Sequence, residues 1–140
     1  MSDFVFTVRG EPKPKGSLRA FVVKGRAVMA SERSSKDWQA LVAFQAQQFD
    51  RAPFEGPVEV LLAFHMPRPA SASKRIQWPA KKPDIDKLAR AALDALTGIV
   101  FRDDAQVVRL TAAKEFATEY VGLDVSVREI EAPDGVEVIG

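Results

Sequence analysis

The chain has no cysteine, one histidine (His65) and no apolar run near the roughly 18 residues that span a bilayer. Without cysteine there is no disulfide framework, no thiolate zinc site and no thiol nucleophile, and one histidine gives little support to a His-based triad. The N-terminus sets Asp3, not a basic cluster, ahead of its short apolar stretch, so it does not read as an export signal. A soluble, cytoplasmic protein with no membrane partner and no small-molecule organic cofactor is expected. For chemistry, carboxylates and a hard cation remain.

With 140 residues, 46% apolar and 28% charged, the chain has enough material for one domain with one modest core. Its net charge of +1 conceals a division along the sequence. Residues 9–36 carry eight bases against two acids, residues 68–90 seven against two, and residues 91–140 four against ten. A polyanion would meet the first two blocks. Either block alone also fits an ordinary solvated loop, but the second leads directly into a set of carboxylates.

Residues 3–9 alternate Phe4, Phe6 and Val8 with other side chains and predict a strand with one buried face. The stretch from Gly10 to Gly16 breaks regular structure and presents Lys13 and Lys15. Residues 19–23 and 26–30 predict a hairpin turning at Lys24 and Gly25, so that Arg19, Lys24 and Arg26 extend a phosphate-contacting arm. Ser34 or Ser35 is the expected cap of a helix with Asp37 in its first turn and Trp38, Leu41, Val42, Gln45 and Phe49 along its apolar stripe. Trp38 is expected in the core, not on a base. Val58–Met66 predicts a largely buried strand ended by Pro67, with His65 packed or hydrogen-bonded near its end.

Residues 68–83 contain three prolines and five bases without helical or strand period. A loop this long marks a functional or mobile segment. Trp78 among Lys74, Arg75, Lys81 and Lys82 suits base stacking and phosphate pairing; it equally suits an anchor between loop and core. Asp84 to Thr97 then predicts a helix burying Ile85, Leu88, Ala89, Ala92 and Leu96 and stopped by Gly98. Asp86, Arg90 and Asp94 share its polar face. Residues 106–116 and 119–128 predict the two strands of a hairpin, and residues 131–140 an acidic tail appended to a single domain over residues 1–130.

The chemistry rests on two carboxylate pairs, Asp84 with Asp86 and Asp103 with Asp104. Each pair has an innocent reading, since Asp at a helix start caps free amides and faces the positive end of the dipole, and an Asp pair before a strand can be a turn. The helix covers about 20 Å and residues 98–103 can return about as far, so the pairs are able to meet. Gathered carboxylates repel, and a divalent cation held by oxygen compensates them. Magnesium fits because it accepts one or two carboxylates together with substrate phosphate oxygens. The reaction that follows is metal-assisted phosphodiester hydrolysis, with Arg90 placed to steady charge on phosphate or leaving oxygen. A salt bridge from Arg90 to Asp86 or Asp94 is its bland alternative.

Lys82-Pro83-Asp84-Ile85-Asp86 with Leu88, Leu93-Asp94-Ala95-Leu96-Thr97 and Asp103-Asp104-Ala105-Gln106-Val107-Val108 resemble the RusA family of Holliday junction resolvases of phages and prophages. The Pro14-Lys15-Gly16 loop, the basic hairpin, the helix after Ser35 and the strand ending His65-Met66-Pro67 follow the same order. The resemblance implies a homodimeric endonuclease that cuts four-way DNA junctions by paired symmetric nicks, using magnesium, with manganese as a substitute. It implies that Asp84, Asp86 and Asp104 are metal-binding catalytic acids, with Asp103 as a neighbouring ligand. Lys87 stands where the family usually has Asn, and Arg90 where it has Lys, which puts a positive charge beside the site and a planar guanidinium in place of an ammonium. A DNA-junction binder with weakened cleavage is the alternative that these departures leave open. The expected fold is α+β, a mixed, mainly antiparallel sheet with two packed helices.

Overall fold

In the computed structural model, which describes residues 3–15, 20–23 and 26–131, a four-stranded sheet carries two helices. The strands are β1 (Phe4–Arg9), β4 (Val58–Met66), β5 (Val107–Phe116) and β6 (Gly122–Glu129), in the order β1-β6-β4-β5. β6 runs antiparallel to β1 and to β4, and β5 runs parallel to β4. The fold is therefore α+β with a mixed, mostly antiparallel sheet. β2 (Ala20–Val23) and β3 (Arg26–Met29) pair with each other as a separate ribbon. Residues 132–140, most of the expected acidic tail, lie outside the described residues, as do Arg19 and Lys24.

β4 shows why the sheet has a single packed face. Val58, Val60, Leu62, Phe64 and Met66 are buried, while the alternate positions Glu59, Leu61, Ala63 and His65 point the other way. Leu123, Val125 and Val127 of β6 and Phe4 and Val8 of β1 extend that layer. Helices α1 (Ala30–Gln47) and α2 (Ile85–Leu96) close it with Trp38, Val42 and Ala46 from one and Leu88, Ala92 and Leu96 from the other. Gln39 Nε2 donates to the Ala91 carbonyl at 3.2 Å and ties the helices together. Trp38 is only 4% exposed, as expected for a core residue.

Three expectations are corrected. β5 and β6 are not hairpin partners, because β4 lies between them. Alternation reports which face a strand buries but not which neighbour it takes. β4 and β6 are both well buried and pair together, leaving β5 at the edge, returned parallel to β4 through α2. α1 begins at Ala30, directly after β3, so Ser34 and Ser35 lie inside it and Ser35 is buried. Serine is common at caps but also tolerated inside helices, so its position alone misplaced the start. Ile85 and Leu41 are 39% and 37% exposed and do not belong to the buried stripes, which run through Ala91 and Ala95 in α2 and Ala46 in α1.

Candidate functional site

Asp84 holds the N-cap position of α2 in extended conformation, yet its side chain makes no capping hydrogen bond. Its carboxylate instead faces lysines, with Lys82 Nζ at 3.2 Å and Lys87 Nζ at 4.0 Å. The capping explanation for this aspartate thus does not operate, and what remains of the innocent reading is its place at the positive end of the helix dipole. Asp86, in the first turn, and Arg90, one turn on, are exposed, and neither forms an ion pair among the described residues. The start of α2 sits against the far end of β5, where Lys114 Nζ donates to the carbonyls of Lys81 and Pro83 at 2.9 Å each.

The second pair lies at the opposite end of α2. Gly98, with φ of 84°, takes the left-handed conformation that ends the helix. A short turn at Asp104–Gln106 follows, capped by Asp103: its Oδ1 accepts from the Ala105 amide at 2.9 Å, and Gln106 Oε1 accepts from the Asp103 amide at 2.8 Å. Gln106 Nε2 also donates to the carbonyls of Phe54 and Gly56, which fixes the turn on the connection ahead of β4. Asp103 therefore has a structural task, whereas the Asp104 side chain caps nothing and lies against Asp103.

Asp103, Asp104, Asp94 and Lys15 line one open cleft of about 630 Å³. Lys15 reaches it because its backbone amide donates to the Lys87 carbonyl at 2.9 Å, laying the 10–15 loop along α2. Its ammonium pairs with Asp94 at 2.7 Å. The Asp104 carboxyl is held above the usual carboxylate range, first by its hydrogen bond with the Asp103 side chain, then by partial desolvation and by the charges of Asp103 and Asp94. Negative charge is crowded here beyond what Lys15 relieves.

Asp84 and Asp94 are ten residues apart on one helix, about 15 Å along its axis. Within one chain the two carboxylate pairs do not meet, contrary to the expectation that the segment after α2 brings them together. Among the described residues no three Asp, Glu or His side chains gather to hold a metal ion. Each end still offers what magnesium accepts, one or two carboxylate oxygens with open sides for water and phosphate. The described residues thus present two separate groups of carboxylates, neither of which makes a metal site alone.

The basic residues are distributed around both ends. Lys74, Arg75, Trp78, Lys81 and Lys82 are all exposed on the 68–83 loop, with Trp78 at 64%. That exposure is incompatible with Trp78 serving as a core anchor. Lys13 pairs with Glu11 at 3.4 Å, and Arg26 lies in β3. Asp94 was legible in sequence as a polar-face residue and as part of the Leu93-Asp94-Ala95-Leu96-Thr97 motif, but neither gave it a place beside Asp103 and Asp104 in the cleft.

Sequence reading also missed a polar network on the other sheet face. Asp124 accepts from Thr7 Oγ1 at 2.7 Å and from the Tyr120 hydroxyl, and His65 Nε2 lies 2.9 Å from its second oxygen. Desolvation opposes ionisation of Asp124, but the hydrogen bonds from Thr7, Tyr120 and His65 outweigh it and hold the carboxyl below its ordinary value. His65 is thus hydrogen-bonded, as expected. No helix among the described residues is long and apolar enough to cross a membrane.

An α+β domain with acidic clusters at both ends of one helix and basic loops around them is a frame for acting on a polyanion. The family model for endodeoxyribonuclease RusA matches residues 10–128. The chain belongs to the RusA endodeoxyribonuclease family, which makes it a nuclease with DNA as substrate. It is also 33% identical over 138 residues to the uncharacterized protein YqaN of Bacillus subtilis (strain 168), an alignment covering 91% of this chain and 96% of that protein.

Proposed function

We propose that the protein is a magnesium-dependent, homodimeric Holliday junction resolvase that cuts four-way DNA junctions by paired symmetric nicks in recombination and repair. The observation that carries this reading is the division of the acidic residues between the two ends of α2, combined with the free edge of β5. Among the described residues that ten-residue strand has one neighbour, and Val108 and Leu110 are 60% and 44% exposed on it. A long edge with exposed apolar side chains invites another strand. α2 runs opposite to β5, so two copies joined by antiparallel β5 edges would bring the Asp84 end of each helix to the Asp104 end of the other. The two partial donor sets then become two complete ones, on a frame whose two-fold symmetry suits the junction.

In this reading Asp84 and Asp86 of one copy and Asp104, with Asp103, of the other would hold the magnesium. Magnesium supplies charge neutralisation at the phosphate and activation of water. Arg90, exposed and unpaired among the described residues, is available to the phosphate or the leaving oxygen. Lys13, Lys15, Arg26, Lys74, Arg75, Lys81, Lys82 and Lys87 supply the phosphate contacts, together with Arg19 and Lys24, which lie outside the described residues. The resemblance to prophage resolvases supports an enzyme working in the bacterial cytoplasm.

One feature favours a junction binder with weakened cleavage instead: Asp84 already has Lys82 and Lys87 as cationic neighbours. Incubating the protein with a labelled four-way junction and a matched linear duplex, with magnesium and with chelator, separates the two. Paired nicks on the junction alone, and only with magnesium, are expected. Tight junction binding without nicks would transfer the assignment to the binder.

A further inference from the structure

A hollow of about 430 Å³ lies under the 68–83 loop, separate from the cleft at Asp104. Met66, Phe116, Ile76 and Pro79 give it an apolar lining, and Trp78 stands among them while remaining mostly exposed. The loop over it is pinned at both ends. Arg68 donates to the carbonyls of Ser73 and Ile76 and lies 4.5 Å over the Phe116 ring, while Lys114 grips the carbonyls of Lys81 and Pro83. The cavity is therefore formed in advance, and an occupant does not have to order the loop.

We propose that this hollow receives one unpaired nucleobase of the DNA strand whose backbone passes Lys81 and Lys82 toward Asp84, an inference that rests on the nuclease reading above. Three observations select that occupant. An exposed indole beside an apolar hollow offers a stacking face that every base can use. Lys81 and Lys82, on its lining, put cations where the sugar-phosphate of the same nucleotide must emerge. Glu11, also on the lining and paired with Lys13 at 3.4 Å, keeps carboxylate oxygen capacity to accept from the N–H groups on the edge of a base. A base inside a duplex is stacked and paired and cannot enter. The hollow thus favours strands whose bases are already unpaired.

The test compares two short labelled strands of equal length in chelator, one with bases and one of bare sugar-phosphate, binding to the wild-type protein and to Trp78→Ala. Trp78 is exposed, so the variant is expected to unfold at the wild-type temperature, which thermal denaturation checks. The wild type should bind the strand with bases about tenfold more tightly, and Trp78→Ala should lose that preference while binding the bare strand as well as the wild type does. Equal affinity of the wild type for both strands, or an undiminished preference in Trp78→Ala, would overturn the proposal. Junction cutting with magnesium by the same preparations keeps the two readings apart. Cutting without base preference refutes the base pocket alone; base preference dependent on Trp78 without cutting upholds the pocket and refutes the nuclease assignment.

Discussion

Among single residues, what decides a role is whether the local structure already employs the side chain. Asp103 is employed, as the cap of a short turn, and Asp103→Ala should cost about 1 kcal/mol of stability while Asp103→Asn keeps most of it, as chemical denaturation would register. Asp86 is exposed and unengaged among the described residues, so Asp86→Asn should leave stability unchanged, preserve junction binding and abolish cleavage. Cutting at the wild-type rate would remove Asp86 from the site. Asp124 makes a different prediction. Its folded pKa is depressed below the ordinary 3.8, so its stabilising contribution is complete above that value and is lost as pH falls through the folded one. The stability gap between wild type and Asp124→Asn should narrow as pH falls below about 4. A gap that persists at lower pH would assign the network to packing and not to charge.

For the elements, the sequence announced most of the pieces. β4 was read to the residue because its apolar run is closed by Pro67, although its burial alternates where a largely buried strand was expected, and α2 was read because Leu88, Ala92 and Leu96 repeat at helical spacing and Gly98 supplies a stop. Neighbour relations were not legible. Nothing in residues 106–128 states that β4 will separate β5 from β6, since that order depends on distant strands competing for the buried centre. Gly122 shows the same limit. It lies against the end of β1, where a Cβ would run into the Val8 carbonyl oxygen, a constraint visible only once β1 and β6 are paired. Gly122→Ala should therefore destabilise by about 1–3 kcal/mol, which thermal or urea unfolding would reveal. A neutral result would mean that the β1–β6 register differs at that end.

The whole molecule poses the question that neither residues nor elements answer, which is how carboxylates gathered at opposite ends of α2, about 15 Å apart along its axis, would serve one reaction. The motif made both pairs legible, but their meeting was argued from the reach of the connecting chain, and reach alone does not fix direction. The connection goes instead to the Asp94 end, where Asp104 and Asp94 share a cleft with Lys15. If two copies complete each other's sites through antiparallel β5 edges, inactive variants should complement. In a mixed dimer of Asp86→Asn and Asp104→Asn, one site collects both substitutions and the other collects neither. Equal mixtures of the two inactive proteins, exchanged through mild denaturant and returned to magnesium, should regain single nicks on a four-way junction while each protein alone stays silent. Paired cuts should remain rare, because only one site of each mixed dimer is whole. Should the mixture stay inactive although mixed dimers form, each site must be built within a single chain, and the β5 edge would lose its part in catalysis.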